Sequence, residues 1–157
     1  MKIILLQIGK TTENYLLEGI NKYTKRINHY SNFEIITINP GKTNSQNNIQ
    51  QIKKQDSDLL ISKIENNDFV VLLDEQGKEL SSVNFAAYLE NHLLKSTKRL
   101  VFVIGGAYGF SDELYKRADY TLSLSKLTFS HQMVRLFFVE QIYRAFTIIK
   151  GESYHHS

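Results

Sequence analysis

Short β-branched apolar runs alternate along this chain with stretches of helical periodicity, and that alternation constrains its fold more than any other feature. The runs at 2–8 (KIILLQI), 33–39 (FEIITIN), 69–73 (FVVLL), 99–104 (RLVFVI) and 120–124 (YTLSL) predict buried strands. Helices are predicted between and after them, over 11–28, 44–66, 81–94, 111–118 and 131–150. Leu16, Ile20, Tyr23 and Ile27 mark the apolar stripe of the first helix, and Ser81 stands at the N-cap of the third. Strands and helices in strict turn argue an α/β architecture, a largely parallel sheet flanked by helices. The 157 residues are one domain's worth, so 1–157 reads as a single domain. Ligands of such sheets sit beyond the carboxyl ends of the strands. The turns after Leu73, Ile104 and Leu124 are therefore the places for a site. The polar segment Asp74–Lys78 reads as a turn closing the third strand.

The last helix carries a second message. Val134, Phe137, Phe138, Val139, Ile142, Ala145, Phe146, Ile148 and Ile149 cover roughly 200° of its circumference, against the ~100° that facing one core requires. Glu140, Arg144, Thr147 and Lys150 hold the other side. Such an excess of apolar surface predicts a homodimer, unless neighbouring helices cover it. Arg135 falls inside the apolar arc, and a buried arginine calls for an anionic partner, from its own chain, another subunit or a substrate.

Many chemistries are excluded. The chain has no cysteine, which removes disulfides, thiolate metal sites and thiol catalysis. No G-x-x-x-x-G-K-[ST] and no G-x-S-x-G is present, and Gly9 stands alone after the first strand, so neither a P-loop, a nucleophile elbow nor a Rossmann fingerprint is available. His29, His92, His131, His155 and His156 form no metal-binding spacing, and no metal is expected. No run approaches the ~18 apolar residues of a membrane helix, and MKIILLQIG is too short for a signal peptide. A cytoplasmic protein is expected. The net charge of +3 is compatible with an anionic partner without identifying one.

Three segments remain as candidate sites. Gly105-Gly106-Ala107-Tyr108-Gly109 follows a buried strand and lets a ligand approach the backbone. The stretch 124–131, LSKLTFSH, holds no glycine or proline between strand and helix; it suits the wall of an apolar ligand, or hydrophobic anchoring with an N-cap from Ser130. Asp74 and Glu75 are either a tight-turn device or a face for a cationic ligand. Lys10, Lys22, Lys25, Arg26, Lys42 and Lys78 gather toward one end of the sheet and the first helix, a pattern that suits phosphate contacts.

Taken together, LDEQGK at 73–78, FVIGGAYGF at 102–110, LSLSKLTFSHQMVR at 122–135, EQIYRA at 140–145 and the terminal Tyr154-His155 resemble one family. The chain resembles the large-subunit ribosomal RNA methyltransferase H family of the SPOUT class, over its whole length. The resemblance implies a C-terminal deep trefoil knot, a rare exception among un-knotted folds. It implies S-adenosylmethionine as cofactor, held by Leu73, Gly105, Leu124, Ser125, Lys126, Leu127, Thr128 and Phe129. It implies a homodimer that methylates N3 of a pseudouridine in large-subunit (23S) rRNA within the assembled ribosome. Tyr154, His155 and His156 become candidates for reaching the base, and Arg135 and Arg144 for phosphate or carbonyl contacts. Two positions depart from the family pattern: Ser130 replaces a proline, and His156 replaces a terminal arginine. Two other readings keep the fold: a catalytically silent ribosome-binding or assembly factor, and a SPOUT methyltransferase acting on tRNA.

Overall fold

The computed structural model describes residues 1–44 and 46–156. Five parallel strands, β1 (Lys2–Ile8), β2 (Asn32–Ile38), β3 (Phe69–Glu79), β4 (Arg99–Ile104) and β5 (Tyr120–Ser123), form one sheet in the order β2-β1-β4-β3-β5. Five helices, α1 (Asn14–Ile27), α2 (Ile49–Ile61), α3 (Ser82–Leu94), α4 (Asp112–Arg117) and α5 (Met133–Ile149), cover its two faces. The strands are apolar throughout because both faces are buried. Side chains alternate between them: Ile3, Leu5, Leu100 and Phe102 pack with α1, α3 and α5, while Ile4, Leu6, Val101 and Val103 face the opposite cluster, which includes Leu60 of α2 and Leu114 of α4.

The structure corrects three expectations. The second helix starts at Ile49 rather than 44, because the Asn48 side chain accepts from Gln51 N at 2.9 Å and the Gln51 side chain accepts from Asn48 N at 2.9 Å. This reciprocal capping box fixes the helix start; the expected helical residue Ser45 lies outside the described residues. Asp74–Lys78 does not end the third strand. The chain bulges there and pairs with β5 a second time, Lys78 opposite Leu122 and Glu79 opposite Ser123. Gly77 is what permits it: a Cβ there would stand 2.7 Å from the backbone carbons of Thr121 and Leu122.

The third correction concerns α5. Its apolar arc is largely consumed within one chain, because α5 lies between α1 and α3. Thr147, expected on the polar side, is fully buried, and its hydroxyl donates to Arg144 O at 2.7 Å. Within the helix only Phe137 stands exposed, at 43 %. The width of the arc therefore gives no argument for a dimer. Among the described residues no helix is long and apolar enough to cross a membrane.

Candidate active site

A cavity of about 400 Å³ opens beyond the carboxyl ends of β3, β4 and β5. Its floor is the glycine loop after β4. A Cβ on Gly105 would stand 2.9 Å from the Phe110 ring, and one on Gly106 would stand 2.6 Å from Asp56 Oδ2. Gly109 has φ +79°, in the left-handed region that favours glycine. The far end of the loop is fixed from behind: Ser57, buried on α2, accepts from Ser111 N at 2.8 Å, and Ser111 caps α4.

The opposite wall is the segment between β5 and α5. Ser123 Oγ donates to Ser125 O at 2.9 Å, and Leu127 N donates to Ser125 Oγ at 3.0 Å. Ser130 does cap the entry to α5, accepting from Met133 N at 3.1 Å. Phe129 packs on Phe137, ring centroids 4.9 Å apart. Of the residues expected at a cofactor, Leu73, Gly105, Leu124, Ser125, Leu127, Thr128 and Phe129 line this one cavity; Lys126 does not. The mix of apolar walls and a bare backbone floor suits a ligand with a flat apolar part and polar edges.

Two carboxylates stand at the cavity, each held. Asp74 Oδ1 accepts from Gln76 N at 2.9 Å, and Asp74 Oδ2 accepts from the Tyr115 hydroxyl. Glu75 Oε2 accepts from Thr128 Oγ1 at 2.6 Å, joining the two walls. Burial and the bond to Asp74 push the Tyr115 phenol well above its usual range. His131, also on the wall, is pushed down by burial and by the charge of Arg135.

Arg135 does not reach the cavity. It is 0 % exposed; Nη2 donates to Ile8 O at 2.6 Å and Nη1 to Thr11 Oγ1 at 2.9 Å. No carboxylate pairs with it among the described residues, and burial lowers its pKa to about 10. The expected anionic partner is thus a neutral carbonyl at the end of β1, and a direct contact with substrate phosphate is ruled out by burial. Arg135 anchors the start of α5 to the β1–α1 connection.

The remaining candidates meet at the other end of α5. Glu140 Oε1 accepts from Arg144 Nε at 3.1 Å, Arg144 Nη2 at 2.5 Å and the Tyr154 hydroxyl at 2.9 Å. The Tyr23 and Tyr154 hydroxyls lie 3.2 Å apart, and Arg144 stacks over the Tyr154 ring. Burial and these two hydrogen bonds push the Tyr154 phenol far up, so it remains a proton donor. Arg144 Nη1 stands 3.3 Å from His155 Nδ1. A guanidinium can only donate, so Nδ1 carries the lone pair and Nε2 the proton. Glu140 was missed by sequence reasoning, although its spacing of four from Arg144 is the ordinary signal of a helix ion pair. Tyr23 had no such signal. Val134 lines the cavity and Arg144 lies ten positions on, about 15 Å along the helix. One chain does not bring the cluster to the cavity.

Comparison with known proteins decides the family. A model described as "Predicted SPOUT methyltransferase" matches residues 1–155. The chain belongs to the SPOUT methyltransferase family. It is 53 % identical over 156 residues to the Ribosomal RNA large subunit methyltransferase H of Christiangramia forsetii, covering 99 % of both chains. It is 49 % identical to the proteins of that name from Parabacteroides distasonis and Cytophaga hutchinsonii, with equal coverage of this chain. Among solved structures the fold matches a tRNA (m1G37) methyltransferase from Aquifex aeolicus, with TM-score 0.56 and 14 % identity over all of this chain and 76 % of that one. It also matches a putative methyltransferase from Legionella pneumophila solved with the bound cofactor SAM, with TM-score 0.51 and 12 % identity over 92 % of this chain and 66 % of that one.

Proposed function

We propose that this SPOUT chain is an S-adenosylmethionine-dependent methyltransferase of large-subunit ribosomal RNA, acting on N3 of a pseudouridine in the assembled ribosome. The observation that carries this reading is 53 % identity, end to end, with a protein named Ribosomal RNA large subunit methyltransferase H. A cytoplasmic location belongs to the same reading. So does a C-terminal knot, supported by the match of the SPOUT methyltransferase model to residues 1–155.

The cavity fits the cofactor. Its volume of about 400 Å³ is in the range of small-molecule sites, and its glycine floor leaves backbone groups open to polar edges. S-Adenosylmethionine, held between the glycine loop and the walls 73–76 and 124–129, would supply a methyl group to the substrate nitrogen, so catalysis would be largely a matter of alignment. The walls 73–76 and 124–129 fix that alignment and exclude water. The imide N3–H must lose its proton, and the C-terminal cluster carries the groups for it. Arg144 and Tyr154 are donors suited to the charge that develops on a neighbouring carbonyl oxygen. His155 is the base in this scheme, once its Nδ1 lone pair is exchanged from Arg144 to the substrate.

The cluster and the cavity complete each other only across two chains, which makes the working unit a homodimer. Leu127 at 72 % and Phe137 at 43 % exposure offer apolar surface beside the cavity for the second copy. The test is transfer of labelled methyl groups from S-adenosylmethionine to ribosomes lacking the modification, followed by mass spectrometry of the rRNA. One methylated pseudouridine is expected. Ribosome binding without methyl transfer would make the chain a silent binding factor instead.

A further inference from the structure

We propose that Asp74 and Glu75 select the cationic methyl donor over its neutral product, acting as a charge filter in the cofactor cavity. The inference rests on the donor-site reading above. Four ionisable side chains line the cavity, Asp74, Glu75, His131 and the phenol of Tyr108. Burial and the charge of Arg135 both lower the pKa of His131, disfavouring its cationic form. Neither Asp74 nor Glu75 has a cationic partner among the described residues. Two carboxylates without counter-ions therefore face the space that the ligand fills.

An enzyme that binds RNA gains nothing from unpaired negative charge at its cofactor cavity unless the ligand is a cation. The donor carries a sulfonium, an ammonium and a carboxylate, one net positive charge. After transfer the sulfur is a neutral thioether and the net charge is zero. The charge at sulfur is thus what separates substrate from spent cofactor. Attraction to it falls off slowly in a partly enclosed site, so the carboxylates need not touch sulfur to discriminate. Their positions are fixed: Asp74 by Gln76 N and the Tyr115 hydroxyl, Glu75 by Thr128 Oγ1. Asp74 also caps the bulge, which is a turn role; the charge is additional, because an asparagine Oδ1 would still accept from Gln76 N while its amide nitrogen would donate to the Tyr115 oxygen. Loss of the positive charge on transfer removes this attraction and favours release of the product.

Calorimetric titration of the full chain tests the filter, using three ligands: S-adenosylmethionine, S-adenosylhomocysteine, and sinefungin, which keeps a cationic amine in place of the sulfonium. Asp74→Asn and Glu75→Gln preserve shape while removing charge, and leave one oxygen to accept from Gln76 N and from Thr128 Oγ1 respectively. Each is expected to weaken both cationic ligands about fivefold, and the pair about tenfold or more, with the neutral ligand changed less than about twofold. The advantage of the cations in the unmodified protein should shrink as salt approaches about 1 M. Tyr115→Phe, which frees Asp74 without altering charge, should leave the ratio of cationic to neutral affinity unchanged. Equal weakening of all three ligands, or no change in any, overturns the proposal. Failure of the unmodified protein to bind any of the three overturns the donor-site reading itself.

Discussion

The Tyr154 hydroxyl donates to Glu140 Oε1 across 2.9 Å, fastening the terminal segment to the middle of α5. Glu140 takes Arg144 on the same oxygen, so one carboxylate organises both candidate donors. Glu140→Gln should lower methyl transfer by about tenfold to a hundredfold while leaving donor affinity intact, because Glu140 is not among the residues that line the cofactor cavity. Parallel measurement of turnover on ribosomes and of cofactor binding checks this; equal loss of both would mean a general folding defect.

Tyr154 should act as a hydrogen-bond donor and never as a base. Its folded pKa lies well above the ordinary tyrosine value because of burial and its bonds to Tyr23 and Glu140. Turnover of the unmodified protein and of Tyr154→Phe, followed from pH 6 to 9.5, should give profiles of the same shape at different heights. A limb of the profile that disappears in the phenylalanine variant would contradict this assignment.

Two inactive variants should rescue one another. A chain with Gly105→Trp in the cavity floor and a chain with Arg144→Ala in the cluster are each expected to be inactive. Co-expressed, they should recover about a quarter of the normal turnover per site, because one mixed arrangement in the dimer pairs an intact cavity with an intact cluster. The mixture is assayed against each variant alone. A site confined to one chain would give no recovery. Phe137→Glu, measured by sedimentation, should shift the protein toward monomer.

Removing Arg135 should cost stability. Arg135→Leu leaves Ile8 O and Thr11 Oγ1 without their donor, but it also removes a buried, unpaired charge. The net loss expected is about 2 kcal/mol, read by urea unfolding. Arg135→Ala, which adds a cavity, should lose about 2 kcal/mol more.

Stability should fall steeply in alkali. The hydrogen bond to Glu152, with burial, raises the Tyr30 pKa to about 12, and Tyr88, Tyr115 and Tyr154 are raised as well. A raised folded pKa means that the folded chain holds its proton longer than the unfolded one. The stabilisation is fully present below the unfolded value of about 10 and is lost as pH rises from there toward 12. Denaturation midpoints at pH 9 and 11 measure the slope, and Tyr30→Phe should make it shallower.

Much of this molecule is legible in its residues. The apolar runs at 2–8 and 99–104 coincide with β1 and β4, because strands buried on both faces have no polar position to blur their ends. The turns after Leu73, Ile104 and Leu124 do meet at one cavity, since a parallel sheet brings all its carboxyl ends to one side. The return of β3 after Asp74 was not legible. Polar residues spell a turn locally, and only the backbone of β5 against Gly77 shows why the strand resumes. The partner of Arg135 was hidden for a similar reason: a backbone carbonyl leaves no mark in sequence. Glu140 was in view as part of an ordinary helix pair, and only the folding back of Tyr154 gives it a second task.

The strand order has a consequence for how the protein is born. β1 sits between β2 and β4, and its residue Lys2 pairs with Arg99. During synthesis the first strand, nearly all of it apolar, must wait for a partner made almost one hundred residues later. Until then it presents an open edge, the feature most prone to faulty pairing. The chain is thus exposed to misassembly while it is still attached to the ribosome that makes it, and variants that weaken β4 should show their defect first as low yield rather than as low activity.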